Sequence, residues 1–258
     1  MKVVLFCGGL GTRLREHSGT IPKPLVPIGD RPIMWHMMKF YAHYGHTDFI
    51  LCLGYKGDMI KDYFLNYEPY SGADVVHKKK GEVIVPSGSD VDDWNITFVN
   101  TGLHSNIGQR LMRVKHLLEG EDMFLCNYSD QLSDVNLADY LDEFQQRDAV
   151  AGMVGVRPAQ SFHSVVIDDD GDVNRIEPSS MSDFWINGGY IALRKEIFNY
   201  IEEGDELVEQ PFQRLIKENK LWAYRYDGFW AAMDTFKDKI TFDRMDGRGD
   251  RPWKVWDT

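Results

Sequence analysis

The run Lys2-Val3-Val4-Leu5-Phe6-Cys7-Gly8-Gly9-Leu10-Gly11-Thr12-Arg13-Leu14 constrains this chain more than any other stretch. Val3 to Cys7 is continuously apolar, the pattern of a strand buried on both faces, and such strands belong to sheets covered by helices on either side. The strand opens into Gly8, Gly9 and Gly11, which remove the Cβ atoms that keep a ligand off the backbone and permit positive φ. Thr12 and Arg13 follow, and Lys23 stands downstream between Pro22 and Pro24. Backbone N–H groups, a guanidinium and an ammonium together make a polyphosphate cradle. The glycines alone fit a plain turn equally well. No Gly-Lys-Ser/Thr closes the loop as in a P-loop, and Arg13 stands where the dinucleotide fingerprint has its third glycine.

The rest of the chain alternates strand and helix. A helix is expected over Pro32–Tyr44, a strand over Asp48–Leu53, a helix from about Asp58 to Asn66 and a strand over Asn95–Val99. A helix from Gly108 through Leu118, a strand over Met123–Asp130 and a helix from about Leu137 to Gln146 follow. Short joins between such elements imply parallel strands with right-handed crossovers. After Ala149 come strands at 154–156, 164–167 and 173–176, the last two joined by an Asp-Gly hairpin turn. Asp183 to Leu193 forms a further strand; Gly188 and Gly189 inside it imply close approach by a ligand or another backbone. Helices over 194–201 and 207–218, a strand over 221–226 and a helix from about Thr235 complete the pattern. Residues 68–91, rich in Gly and Pro, break the rhythm as an inserted excursion with a hairpin around Glu82–Val85.

The expected fold is therefore α/β: a Rossmann-like, mixed, mostly parallel sheet flanked by helices, with a hairpin excursion and a smaller β region. Its 258 residues read as one domain with a tail at 245–258. Forty acidic against 29 basic side chains give a net charge of −11, which argues against nucleic acid as a partner. Cys7, Cys52 and Cys126 lie in or beside apolar runs and read as reduced core residues of a cytoplasmic protein. No leader or membrane-spanning run is read from the chain. His36, His43 and His46 read as helix and surface histidines rather than metal ligands.

Two carboxylates stand at strand ends, where open α/β sheets place functional groups. Asp130 closes Met123–Asp130, and Asp234 follows Trp230-Ala231-Ala232-Met233. Each could instead cap the next helix. The Arg at 110, in the first turn of a helix, opposes the helix dipole and so favours an anionic partner.

Taken together, Gly8-Gly9-Leu10-Gly11-Thr12-Arg13-Leu14, Pro22-Lys23-Pro24-Leu25-Val26-Pro27-Ile28-Gly29-Asp30-Arg31-Pro32-Ile33, Ile186-Asn187-Gly188-Gly189 and Gly228-Phe229-Trp230…Met233-Asp234-Thr235 resemble the sugar-phosphate nucleotidyltransferases, and within them the glucose-1-phosphate cytidylyltransferase group. The resemblance runs from residue 5 to 256 and is weakest over 68–91 and 157–183. It implies Mg²⁺-dependent transfer of a cytidylyl group from CTP to a sugar 1-phosphate by a homo-oligomer. On that resemblance Asp130 and Asp234 hold Mg²⁺, Arg13 and Lys23 act on the phosphates, and Phe6 to Arg13, Lys23, Thr101, Arg110 and Ser129 bind nucleotide. Tyr128, Glu177, Asn187, Gly188 and Gly189 bind the sugar, and the excursion helps build the oligomer interface.

Three departures stand out. Ser129 replaces the group's usual Gly and adds bulk beside the ligand. Ile176-Glu177-Pro178 lacks the lysine of the group's Glu-Lys-Pro, which binds the sugar phosphate; Arg157 or Arg175 would compensate. Glu209-Gln210-Pro211 stands for Gln-Glu-Pro. Another nucleotide such as UTP or dTTP, another acceptor, or a non-catalytic nucleotide-binding regulator are the alternatives.

Overall fold

The computed structural model describes residues 1–9, 20–67, 76–77, 83–84, 91, 93–158, 163–181 and 183–257. In chain order the elements are β1 (Lys2–Phe6), β2 (Pro27–Ile28), β3 (Arg31–Pro32), α1 (Ile33–His43), β4 (Asp48–Leu53), α2 (Gly57–Leu65), β5 (Val76–His77), β6 (Val83–Ile84), β7 (Asn95–Asn100) and α3 (Ile107–Val114). Then come β8 (Met123–Asn127), β9 (Gln131–Ser133), α4 (Leu137–Gln145), β10 (Ala151–Val156), β11 (His163–Ile167), β12 (Val173–Pro178), β13 (Ile186–Arg194), α5 (Gln210–Lys217), β14 (Leu221–Tyr226), β15 (Trp230–Ala232) and α6 (Phe236–Gly247).

Seven strands form one sheet in the order β14-β10-β13-β8-β1-β4-β7. β1 pairs in parallel with β4 and β8, β4 with β7, and β10 with β14. β13 alone runs against its neighbours β8 and β10. The expected mixed, mostly parallel sheet is thus observed.

Both faces of the central strand are buried. Val3, Leu5 and Cys7 join one core cluster with α1 and α4, while Val4 and Phe6 join a second with α3 and α5. Phe49 and Leu51 against Ile50 and Cys52 repeat that alternation on β4. A strand without a solvent face cannot alternate apolar with polar, which is why the sequence shows an unbroken run. Each such side chain contributes about 1.5–3 kcal/mol of burial. All three cysteines are free and buried, and burial pushes the Cys7 thiol up to about 12.

Helix ends follow local chemistry. Asn106 and Asn136 accept from the first-turn N–H groups of α3 and α4, and Thr235 forms a reciprocal capping box with Asp238 at α6. Asp130 and Asp234 therefore cap neither helix. Two expected helices are shorter than the sequence pattern suggests. Residues 194–201 hold a 3₁₀ segment, Lys195–Asn199, because the N–H groups of Arg194 and Lys195 bond Val150 and Asp122 and tie its start to the sheet. α5 starts at Gln210 with Pro211 in its first turn, and it stops before Asn219 in the left-handed region at φ 57°.

β11 and β12 form the expected hairpin, with Gly171 at φ 91° in its turn. In the excursion, β5 and β6 pair antiparallel. The tail beyond α6 brings Trp253 into the core, edge-on to Phe242, and Trp256 onto His36. Burial lowers the His36 pKa to about 4, so this histidine stays neutral above mildly acid pH. Among the described residues no helix is long and apolar enough to cross a membrane.

Candidate active site

The sheet changes direction at β1: the chain moves outward through β4 and β7, then returns to lay β8 on the other side. At such a switch point the loops after the two strands part and leave a crevice at the carboxyl ends. Cys7-Gly8-Gly9 leaves β1 there, and Tyr128-Ser129-Asp130 leaves β8.

A two-stranded ribbon completes the crevice. β9, directly after Asp130, pairs antiparallel with β15, so that Gln131 faces Ala232. The N–H of Met233 donates to the carbonyl of Asp130 at 2.9 Å. This ribbon brings Asp130 and Asp234 to the same place. The N–H groups of Asp234 and Thr235 bond Asp238, at 3.0 and 2.7 Å, which fixes the turn on which Asp234 sits.

Lys23 lies between the two carboxylates. Its Nζ is 2.6 Å from Oδ2 of Asp130 and 2.6 Å from Oδ1 of Asp234. Pro22 and Pro24 flank it on a short 3₁₀ turn, Lys23–Leu25. Burial lowers the pKa of this lysine, but Asp130 and then Asp234 outweigh burial, and the net direction is upward from 10.5. The stability it contributes is whole below that ordinary value and is lost only as pH climbs through the raised one, so it is intact at neutral pH. Two hard carboxylate oxygens converging on one cationic centre suit a divalent ion that also keeps phosphate and water ligands, and Asp130 and Asp234 are the residues that would hold it.

Ser129 stands in the left-handed region at φ 66°, the backbone reason for glycine at such a place. Its hydroxyl donates to the carbonyl of Phe6 at 3.0 Å and the residue is buried, so the added bulk turns under the β1 loop instead of into the crevice. Ser129→Ala should keep the backbone strain and lose that bond, a destabilisation of about 1–2 kcal/mol in urea unfolding. Ser129→Gly exchanges the bond for relief of roughly 1 kcal/mol of strain and should lie within about 1 kcal/mol of the parent.

Thr101 and Arg110, expected to touch nucleotide, are buried with their polar atoms taken by the chain itself. Arg110 donates to Thr101 Oγ1 at 2.7 Å and to the carbonyls of Gly8 at 3.1 Å, Leu53 at 3.3 Å and Leu103 at 3.4 Å. Thr101 Oγ1 donates to Leu53 at 2.8 Å. The anionic partner inferred from the helix dipole is here a set of carbonyl oxygens at the ends of β1, β4 and β7. A Cβ on Gly8 would lie 1.9 Å from the guanidinium, so glycine is required by this packing beneath the loop. The Gly54–Gly57 turn is the entry to α2, with Lys56 at φ 50°.

On the far side of β8, Asn187 Nδ2 donates to the Tyr128 hydroxyl at 3.2 Å, and Asn187 Oδ1 accepts from the N–H of Gly189 at 2.9 Å. Gly189 has φ 78°, and Oε1 of Gln131 lies 1.8 Å from where its Cβ would stand. The Trp230 indole donates to the carbonyl of Gly188 at 2.8 Å. The close approach inferred at this glycine pair is made at Gly188 by the backbone carbonyl of Val154, 2.9 Å from where its Cβ would stand, with Trp230 beside it, and at Gly189 by Gln131; neither Gln131 nor Trp230 is given a role of its own by the sequence. Their signal was position: Gln131 follows Asp130, and Trp230 stands four before Asp234. Oε1 of Gln131 is buried without a hydrogen-bond donor and faces this cluster.

Glu177 lies on the β11–β12 hairpin, 3.6 Å from Arg175. Arg157 bonds Asp227 at 2.9 Å and lies over Trp185, 4.6 Å from its ring centre. Leu10, Gly11, Thr12 and Arg13 lie outside the described residues. Phe6 is buried, and Gly9 is exposed at the mouth.

A glycine turn at the switch point, two converging carboxylates and a lysine between them are parts suited to anionic, phosphorylated ligands. The nucleotidyl transferase family profile matches residues 2–237, and the chain belongs to that family. It is similar to a "probable glucose-1-phosphate cytidylyltransferase" of Bacillus subtilis (strain 168), 38% identical over 99% of this chain and 100% of the relative. The glucose-1-phosphate cytidylyltransferase of Salmonella typhi is 36% identical over the full length of both. Among solved structures, a UDP-glucose pyrophosphorylase complexed with UDP-glucose shares the fold at a TM-score of 0.70, with 14% identity over 96% of this chain and 98% of that one.

Proposed function

We propose that this enzyme transfers the cytidylyl group of CTP to a sugar 1-phosphate, glucose 1-phosphate foremost, with Mg²⁺ as cofactor. The observation that carries the reading is the meeting of Asp130, Lys23 and Asp234 at the switch point of a chain whose full-length relatives bear cytidylyltransferase names.

A phosphate oxygen of the sugar forms a bond to the α-phosphorus of CTP while the bond from that phosphorus to the β-phosphate bridging oxygen breaks, and pyrophosphate leaves. The acceptor is already anionic near neutral pH, so no general base is required. The barrier lies in bringing two anions together and in holding the charge that develops, which positioning and fixed charges address. Mg²⁺ held by Asp130 and Asp234 would supply Lewis-acid stabilisation of the α-phosphate.

The backbone of Gly8 to Thr12, with Arg13, holds the β- and γ-phosphates. Lys23 reaches the α-phosphate or the incoming phosphate. Arg110, braced by Thr101, acts beneath the loop by fixing the carbonyl of Gly8. Tyr128, Asn187, Gly188 and Gly189, with Glu177 on the neighbouring hairpin, take the sugar, and Gln131 joins them.

Pyrophosphate release measured with CTP, UTP and dTTP over a panel of sugar 1-phosphates tests the reading. CTP with glucose 1-phosphate should turn over; product from UTP or dTTP but none from CTP would overturn the nucleotide assignment. Arg13→Ala should raise the KM for nucleotide by about tenfold or more and lower kcat, as loss of a charge-assisted contact predicts. Unchanged kinetics would remove Arg13 from the cradle.

The absent lysine after Glu177 favours a second reading, an acceptor other than glucose 1-phosphate. It gains support if glucose 1-phosphate saturates poorly while another sugar phosphate does not. The same resemblance implies a homo-oligomer, which light scattering tests.

A further inference from the structure

We infer that Lys23 is a built-in counter-ion that competes with the divalent cation for Asp130 and Asp234, so that cation and triphosphate enter as a coupled pair. This rests on the reading of those two carboxylates as the metal ligands. The ammonium makes 2.6 Å contacts to one oxygen of each carboxylate. The Lys23 side chain is 12% exposed and those of Asp130 and Asp234 are 18% and 33% exposed. Two carboxylates this close and this dry repel one another unless a cation lies between them. The ammonium lies between the facing oxygens and offsets their charge, so a divalent cation drawn to the same pair is opposed by it.

The fold gives the lysine a way to yield. Its backbone is fixed by Pro22 and Pro24, yet its side chain is a flexible four-carbon stem that can change partner without moving the turn. A triphosphate oxygen offers that new partner. When Lys23 turns to the phosphate, its charge leaves the two carboxylates and their affinity for a divalent cation rises. By reciprocity, a cation held there drives the lysine toward phosphate and tightens nucleotide binding. One residue thereby neutralises the pair when no triphosphate is bound and binds the α-phosphate when one is.

The test is direct binding of Mn²⁺ in the absence of nucleotide, read from the electron paramagnetic resonance of free Mn²⁺. Lys23→Met should bind Mn²⁺ at least about tenfold more tightly than the parent, because the competing ammonium charge is gone from between the carboxylates. Asp130→Asn and Asp234→Asn should each bind it more weakly. If the aspartate variants weaken binding but Lys23→Met leaves it unchanged or weaker, the competition is overturned and the metal site stands. If the aspartate variants leave Mn²⁺ affinity unchanged, the competition falls together with the metal assignment beneath it. Should Lys23→Met not fold, the parent enzyme decides: with ¹³C-labelled lysine, the Lys23 resonance should move as Mg²⁺ saturates the protein. A resonance that stays in place at saturation overturns the inference.

Discussion

Asp234→Asn should lower kcat by about a thousandfold or more, the size of effect expected when a ligand that fixes charge at the reacting phosphate is removed. Asp130→Asn should do the same. The two variants separate catalysis from folding, because each leaves Lys23 with one remaining carboxylate partner. Asp234 is also set by backbone bonds to Asp238 that its own side chain does not make. Circular dichroism and a melting temperature within a few degrees of the parent should therefore accompany the lost turnover. A kcat within tenfold of the parent in either variant would remove the carboxylate pair from the mechanism, and with it the central argument of the proposed function.

Arg110→Met should bring the largest loss of stability, about 3 kcal/mol or more in denaturant unfolding. The change removes four charge-assisted bonds at once, to the carbonyls of Gly8, Leu53 and Leu103 and to the hydroxyl of Thr101. A bond to a charged donor is worth about 1.5–3 kcal/mol, and the sum is softened because Leu53 keeps the N–H and hydroxyl of Thr101 and Gly8 keeps the N–H of Tyr55. Arg110→Lys should be nearly as damaging, since an ammonium cannot span the three strand ends that the planar fork reaches. If Arg110 contacted only nucleotide, the same substitutions would raise KM and leave unfolding unchanged. The pair of measurements thus separates a residue that supports the loop from one that faces the ligand.

Much of this site is legible in the residues themselves because it lies where pattern is strongest. The unbroken apolar run of β1 fixes a strand buried on both faces, and the glycines after it mark the loop. Asp130 and Asp234 each close a strand-like run, and both fall in the crevice. What the sequence does not display is the pairing of β9 with β15, three residues against three. Strands that short have no readable period, and their partnership is a long-range fact that local composition cannot carry. Arg110 is only half legible, for a related reason. The helix dipole correctly signals an acceptor, but carbonyl groups from three separate strands supply it, and no local rule assembles them. Ser129 shows the reverse. Residue type alone suggests steric interference, whereas its left-handed backbone and its bond to Phe6 turn the hydroxyl toward the end of β1. The helix expected over 194–201 is instead a 3₁₀ turn at Lys195–Asn199, whose start is tethered to the sheet by long-range bonds that no local pattern displays.

The position of β13 has a consequence for synthesis on the ribosome. β10 is made before β13, yet it reaches the rest of the sheet only through it, since β13 lies between β10 and β8. A growing chain that has emerged as far as Val156 therefore leaves one edge of β8 and both edges of β10 without their partners, because β13 and β14 are still to come. It also holds Lys23 and Asp130 without the second carboxylate. Chemistry at this crevice must wait until residues near 234 have left the exit tunnel, so the last quarter of the chain acts as the latch on everything translated before it.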